Sequence, residues 1–359
     1  MEADADVTLI DVDLGVQVVR DPEYYKPSGD CKIRVEDTLF NIHRFLLERD
    51  SSAFETMFQL PQGMEKPQGS SDDDPIVLMG DTAEEFRALC WALYALPDEI
   101  VKESTATNSV KKLARVAVIS HKYQLAAFQS WSLGSIRGRC TPGGYLRTCP
   151  SHLLPIILRP LILCREDSLV DTVVDVWLYR LSNLKQTGFI ANFHAYDPLP
   201  VSAFSDAITF AEENQLRQFL GRLYYARLAV AHRDSKMPTS SLIKFPFGDL
   251  EHRHQQRILR GSWSLSAYWQ HLITEKPSLQ RNCPSSSTNC RPEWNSIWQD
   301  ATAHGGATDI LFKLRYIRDQ IPSHRQNMTE GCANKGKAII ESLITQLEVA
   351  LPDHFLGPP

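Results

Sequence analysis

The sequence lacks most of the features that would assign it to a class directly. A basic leader is missing: the start, MEADADVTLIDVD, is acidic where a secretory or mitochondrial signal is basic. A membrane span is missing too, because the most apolar stretch, His152 to Cys164, is interrupted by Pro155, Arg159 and Pro160. No Gly-x-Ser-x-Gly elbow occurs, which removes the signature of the common serine hydrolases. No unit repeats at a fixed period, so solenoids and propellers are not expected. Acidic residues are absent between Glu103 and Glu166. The 8 cysteines are scattered through 359 residues. Together with the missing leader they read as reduced thiols of a cytoplasmic or nuclear protein, with no disulfides.

What is present is ordinary globular material, 43% hydrophobic and 23% charged. A prior of about 150 residues per domain allows two or three domains. Charge is unevenly placed: residues 1–100 hold 8 Lys+Arg against 22 Asp+Glu, so the rest of the chain is net positive while the whole is -5. The basic run from Lys111 through Lys112, Arg115, Lys122, Arg137, Arg139, Arg147 and Arg159 to Arg165 faces three destinations: an acidic partner, a nucleic-acid backbone, or the chain's own acidic part. It lacks interleaved aromatics, so nucleic acid is disfavoured and intramolecular pairing or a solvated face is expected.

Residues 8–19 alternate, with Ile10, Val12, Leu14, Val16 and Val18 on one side. Period two predicts a half-buried strand, and an unordered acidic tail stays open as the alternative. Asp21-Pro22 and Pro27-Ser28-Gly29 punctuate the chain before two extended segments, Cys31 to Val35 and Leu39 to Ile42, joined as a hairpin at Glu36-Asp37. Ser52-x-x-Glu55 and Thr82-x-x-Glu85 are capping boxes that start helices, with the short strand Ile76 to Leu78 between them. After a polar break at Lys102 to Asn108 the pattern is helical: one block from Val110 to Trp131, then stripes through Leu169 to Arg180, Leu216 to Leu223, Ile310 to Ile317 and Ile340 to Leu351. The final third has a Trp-rich middle, Trp263, Trp269, Trp294 and Trp298, in which Trp294 and Trp298 at i, i+4 read as core before they read as partner anchors.

The stretches GDCKIRVEDTLFNIHRFLLERDSSAFETMF, PIVLMGDTAEEFRALCWALY and SHKYQLAAF together resemble a BTB/POZ domain. The likeness is carried by Asp30, His43-Arg44, Leu47, Ser51, Phe54, Met57-Phe58, Ile76, Leu78, Asp81, Phe86, Leu89, Leu93-Tyr94 and Lys122-Tyr123, and covers about residues 23–137. The variant is most similar to the BTB proteins numerous in mushroom-forming fungi. The resemblance implies an α+β N-terminal BTB/POZ domain followed by a mainly α-helical C-terminal region, divided as 1–22, 23–137, 138–235 and 236–359. It implies a non-catalytic adaptor that self-associates, as a homodimer, or binds a partner, with a cullin-3 ubiquitin ligase among the partners. It also implies interface candidates: Asp30, His43, Arg44, Phe54, Met57 and Phe58. For Asp30 and Arg44 the resemblance implies a charged pocket at the dimer, while local capping by both residues is the competing expectation. Met64-Glu65-Lys66 puts Lys where cullin-3 adaptors carry Glu, which weakens that branch. The tail has neither kelch repeats nor zinc fingers. The helices up to Trp131 are expected to dock on the BTB body, as family members' do.

Two other readings compete. One is a nucleotide- or metal-dependent enzyme built on the C-terminal region. Gly331-x4-Gly336-Lys337 nearly spells a phosphate-binding loop, but Ala338 lacks the hydroxyl that magnesium needs and SHRQNMTE is too polar for the strand that should precede it. Cys283 and Cys290 could supply two zinc thiolates with Cys332 or His304, though their spacing is wide for paired ligands. No cofactor is expected. The other reading is a BTB-type transcriptional regulator acting through partners.

Overall fold

The computed structural model describes residues 9–11, 16–60, 67–106, 109–141, 144–182, 203–234, 247–279, 290–322 and 328–358. They divide into two compact units, one up to Trp177 and the other from Leu178 onward. The first unit therefore continues well past Arg137.

In the first unit the order is β1 (Leu9–Asp11), β2 (Val16–Tyr25), β3 (Cys31–Val35), β4 (Thr38–Ile42), α1 (Arg44–Leu47), a 3-10 turn (Arg49–Ser51), α2 (Ala53–Gln59) and β5 (Ile76–Leu78). Helices α3 (Ala83–Tyr94), α4 (Pro97–Thr105), α5 (Val110–Lys122), α6 (Ala126–Arg137), α7 (Tyr145–Thr148), α8 (Leu153–Leu163) and α9 (Asp167–Ser182) follow, and the division between units falls inside α9. The protein is thus mixed α/β, mostly helical, with a four-stranded sheet in the order β2-β4-β3-β5 near the N-terminus; β1 pairs antiparallel with the outer edge of β2. Strands β3 and β4 form the expected hairpin, with Ile33 opposite Phe40. Both β2 on β4 and β5 on β3 are parallel.

Alternation places Cys31, Ile33 and Val35 on the inner face of β3, where they meet Phe40, Ile42, Leu47, Phe54, Phe86 and Leu89. Phe86 meets Phe40 edge-on with centroids 4.9 Å apart. Ile119 and Leu125, from the segment after the polar break, belong to this same core, with Tyr123 and Phe128 packed against it. The expected docking of the segment up to Trp131 is therefore apolar, through α3 against α5 and α5 against α6.

Three local expectations are corrected. The alternating stretch 8–19 is two strands, and the second runs on through Asp21-Pro22 to Tyr25. The polar break begins later, because α4 continues through Thr105. The block Val110 to Trp131 is two helices, broken where Gln124 takes φ 58°, a left-handed conformation that no helix continues through. The Thr82 capping box closes in both directions, whereas at α2 the Ser52 hydroxyl accepts from Glu55 N–H at 3.2 Å and donates to the Leu47 carbonyl.

The second unit contains α10 (Ala203–Glu213), α11 (Arg217–Asp234), α12 (His252–Thr274), α13 (Cys290–Ala303), α14 (Ile310–Gln320) and α15 (Glu330–Leu356). Helix α15 packs on α11, α12 and α14 and is the spine of the unit. Trp269, Trp294 and Trp298 are buried, as expected of core tryptophans, while Trp263 is exposed.

Candidate functional site

The interface candidates of the first unit separate into a surface group and a core group. The loop Lys26 to Asp30 and the start of α1 carry the surface group. Asp30 accepts the backbone N–H of Arg44 at 2.7 Å, which satisfies one of the donors that a helix N-terminus leaves unpaired. The Arg44 guanidinium turns the other way, to Glu48 at 2.8 Å and to the Phe58 carbonyl at 3.2 Å, and lies over the Phe58 ring. The two side chains have separate, local partners.

His43 is fixed from both sides, with Nδ1 2.7 Å from the Tyr94 hydroxyl and Nε2 3.2 Å from the Ser28 hydroxyl. The Tyr94 phenol sits above its ordinary pKa because burial disfavours the phenolate, so it stays a donor across the physiological range.

Phe54 and Phe58 are core residues, and Met57 is half-buried against the same core. Phe54 stacks on Tyr123 at 4.3 Å. Their burial leaves Phe45 as the large apolar side chain exposed beside His43 and Arg44, at 64%. The turn of α1 directs Leu46 and Leu47 inward and Phe45 outward. Sequence reading missed Phe45 because three apolar residues in a row carry no period; only a boundary fixed at His43 could have separated them.

A second constellation joins three positions quoted for the resemblance. Asp81, nearly buried, accepts from Lys122 Nζ at 2.7 Å and from the Tyr123 hydroxyl, so the turn before α3 is tied to the end of α5. Burial, reinforced by Asp81, pushes the Tyr123 phenol up.

The basic run finds the chain's own acids. Arg159 pairs with Glu85 at 2.8 Å, Lys112 with Glu103 at 3.0 Å, Arg115 with Glu84, and Arg137 with Glu166. Arg139 donates to the carbonyls of Ser104 and Ala106 at the end of α4, at 2.7 and 2.9 Å, where the helix dipole favours a cation. Most of these side chains are partly exposed, so each pair contributes modestly and is screened by salt.

In the second unit the enzyme candidates disperse. Gly331, Gly336 and Lys337 lie in the first turns of α15, capped by the Thr329 hydroxyl on Cys332 N–H, and Lys337 reaches Glu341. No phosphate-cradling loop forms there, because Gly336 serves close packing: a Cβ on it would meet Trp294 at 3.0 Å. Cys290 is buried and accepts from Thr329 N–H at 3.3 Å; Cys283 lies outside the described residues. His304 stacks on Tyr316 and contacts the Asp300 carbonyl. Among the described residues no group of three or more His, Cys, Asp or Glu is placed to hold a metal ion, and no helix is long and apolar enough to cross a membrane.

No family, no curated protein and no solved structure matches this chain.

Proposed function

We propose that residues 23–137 form a BTB/POZ-type interaction module and that the protein is a non-catalytic adaptor which self-associates through the face around Phe45. One observation carries this reading. The positions that resemble the family are joined by direct contacts, His43 to Tyr94, Asp81 to Lys122 and Tyr123, and Tyr123 to Phe54, around one core. Residues that matched a motif by chance would have no reason to touch one another across separate elements. Family dimers bury apolar helix surface near the N-terminus, and Phe45 with His43 and Arg44 offers an apolar side chain ringed by polar ones, the composition of an interface centre. A cullin-3 ligase is the narrower form of the proposal, with the helical unit holding the target; Met64 to Lys66, where the adaptor motif would lie, is outside the described residues.

Two differently tagged full-length chains produced together test the face. The wild-type forms are expected to co-purify, and Phe45→Glu, at a position exposed in the single chain and so expected to keep the far-UV circular dichroism of the wild type, is expected to abolish it. Undiminished co-purification of two Phe45→Glu chains would remove this face from the interface.

A further inference from the structure

Three helices of the first unit bring polar side chains together at one point of its surface. His121 lies in the last turn of α5, Gln129 in the first turns of α6, and Cys164 at the C-terminal end of α8. The left-handed residue Gln124 turns α6 back beside α5, and α8 packs on both. A second left-handed residue, Arg165 with φ 57°, takes the chain out of α8 directly after Cys164. Of the seven described cysteines six are buried and Cys164 is half-buried, while His121 is exposed.

Their contacts assign the protons. The Gln129 amide nitrogen, which carries two hydrogens and accepts none, is 3.3 Å from His121 Nδ1 and 3.4 Å from Cys164 Sγ. Nδ1 is therefore the ring nitrogen with the lone pair, and Cys164 Sγ lies 3.7 Å from it. One amide thus holds a base and a sulfur side by side, the arrangement of a nucleophile, a base and an orienting group. Burial pushes the Cys164 thiol up, and Glu166 adds to the rise against the pull of Gln129 and Arg137. The resting group is the thiol, and a nucleophilic sulfur forms when its proton is handed to a neighbour.

We propose that Cys164 is a modification site at which a low-molecular-mass disulfide, such as oxidised glutathione, leaves half of itself as a mixed disulfide, with His121 as the base. His121 Nδ1 takes the thiol proton, and the Cys164 sulfur attacks one sulfur of the small disulfide. The new S–S bond forms as the old one breaks, and the departing thiolate recovers the proton from His121 and leaves as a thiol. One thiol and one disulfide go in and one thiol and one disulfide come out, so no further oxidant is needed. The six buried cysteines do not admit the reagent. This site goes beyond the interaction role of the N-terminal unit and does not depend on it.

Incubation of the full-length protein with millimolar oxidised glutathione, followed by peptide mass spectrometry, reads the rate at each cysteine. Cys164 is expected to gain glutathione about tenfold faster, or more, than any of the six buried cysteines. His121→Gln keeps a polar side chain at an exposed position and removes the base. It should slow the reaction at Cys164 about tenfold at pH about 7, and the two proteins should converge at pH about 10, where hydroxide takes the thiol proton in both. A histidine that only shapes access to the sulfur would give a difference that pH does not change. The proposal is overturned if Cys164 stays unmodified, if the buried cysteines react as fast, if His121→Gln leaves the rate at the lower pH unchanged, or if it slows the reaction equally at both pH values.

Discussion

Asp21 Oδ2 lies 2.8 Å from Arg87 Nε, joining β2 to α3. The Asp21 side chain is 0% exposed, and its other oxygen accepts from the backbone N–H groups of Glu23 and Tyr24 at 3.0 and 2.8 Å. These bonds take up the irregularity in the β2–β4 register between Arg20 and Tyr25, where Pro22 has no N–H to offer a neighbour. A dipeptide that reads as a break is therefore a fastened kink within the strand.

Asp21→Ala should cost about 2 kcal/mol or more in urea denaturation, because it leaves two backbone donors and a guanidinium without their acceptor. Arg87→Ala should destabilise as well, because it leaves the buried Asp21 carboxylate without its cation. Equal tolerance of both changes would mean that β2 is not held in this way.

Tyr123 contributes through both ring and hydroxyl. Tyr123→Phe keeps the stack on Phe54 and removes one bond to Asp81, which Lys122 still engages, so a loss of about 1 kcal/mol is expected. Tyr123→Ala removes the ring as well and should cost about 3 kcal/mol or more. Thermal melts of the two variants separate the contributions.

The parts of this fold that could be read in the sequence are those fixed by local chemistry. The β3–β4 hairpin announces itself through alternation and the Glu36-Asp37 turn, and α3 through a capping box that closes in both directions. What escaped depends on distant partners. Asp21-Pro22 continues a strand because Arg87, far along the chain, compensates the buried carboxylate. Val110 to Trp131 keeps a helical apolar pattern across a break that lies in the backbone angles of Gln124 and Leu125. Among the interface candidates, Phe54 and Phe58 look like Phe45 in composition, and only packing distinguishes core from surface. The Asp30 carboxylate bonds the backbone N–H of Arg44 while the Arg44 guanidinium turns to Glu48, a distinction that residue type cannot carry.

Two helical glycines should respond oppositely to alanine. A Cβ on Gly331 meets nothing within 4 Å, so Gly331→Ala should stabilise by about 0.5 kcal/mol through helix propensity. A Cβ on Gly261 would lie 2.0 Å from the Phe355 ring, and Gly261→Ala should destabilise by about 2 kcal/mol despite the same propensity gain. Denaturant midpoints report both. A loss on Gly331→Ala would point to a requirement for glycine that helical packing does not impose.

The second unit should weaken in mild acid. Burial holds His254 and His354 below the ordinary histidine pKa; Glu212 and Glu251 oppose this at His254, while Arg253 and Arg257 add to it. The His254 ring accepts or donates one bond with the buried Tyr224 hydroxyl at 2.8 Å. A depressed histidine means that the unfolded chain binds more protons than the folded one. Stability is then full above the unfolded value of about 6.5 and falls as pH drops through it, by at most about 1.4 kcal/mol per pH unit for each group. Urea denaturation at pH 7.5, 6.5 and 5.5, each pH being about one unit apart across that value, should follow this slope, and His254→Gln should flatten it.

Self-association of the N-terminal unit is the central claim, and sedimentation velocity of the full-length protein across a concentration series from about 1 to 100 μM tests it most directly. The account predicts a dimer that persists into the low micromolar range for the wild type and a monomer throughout for Phe45→Glu. A wild-type protein that remains monomeric over the whole series would contradict it.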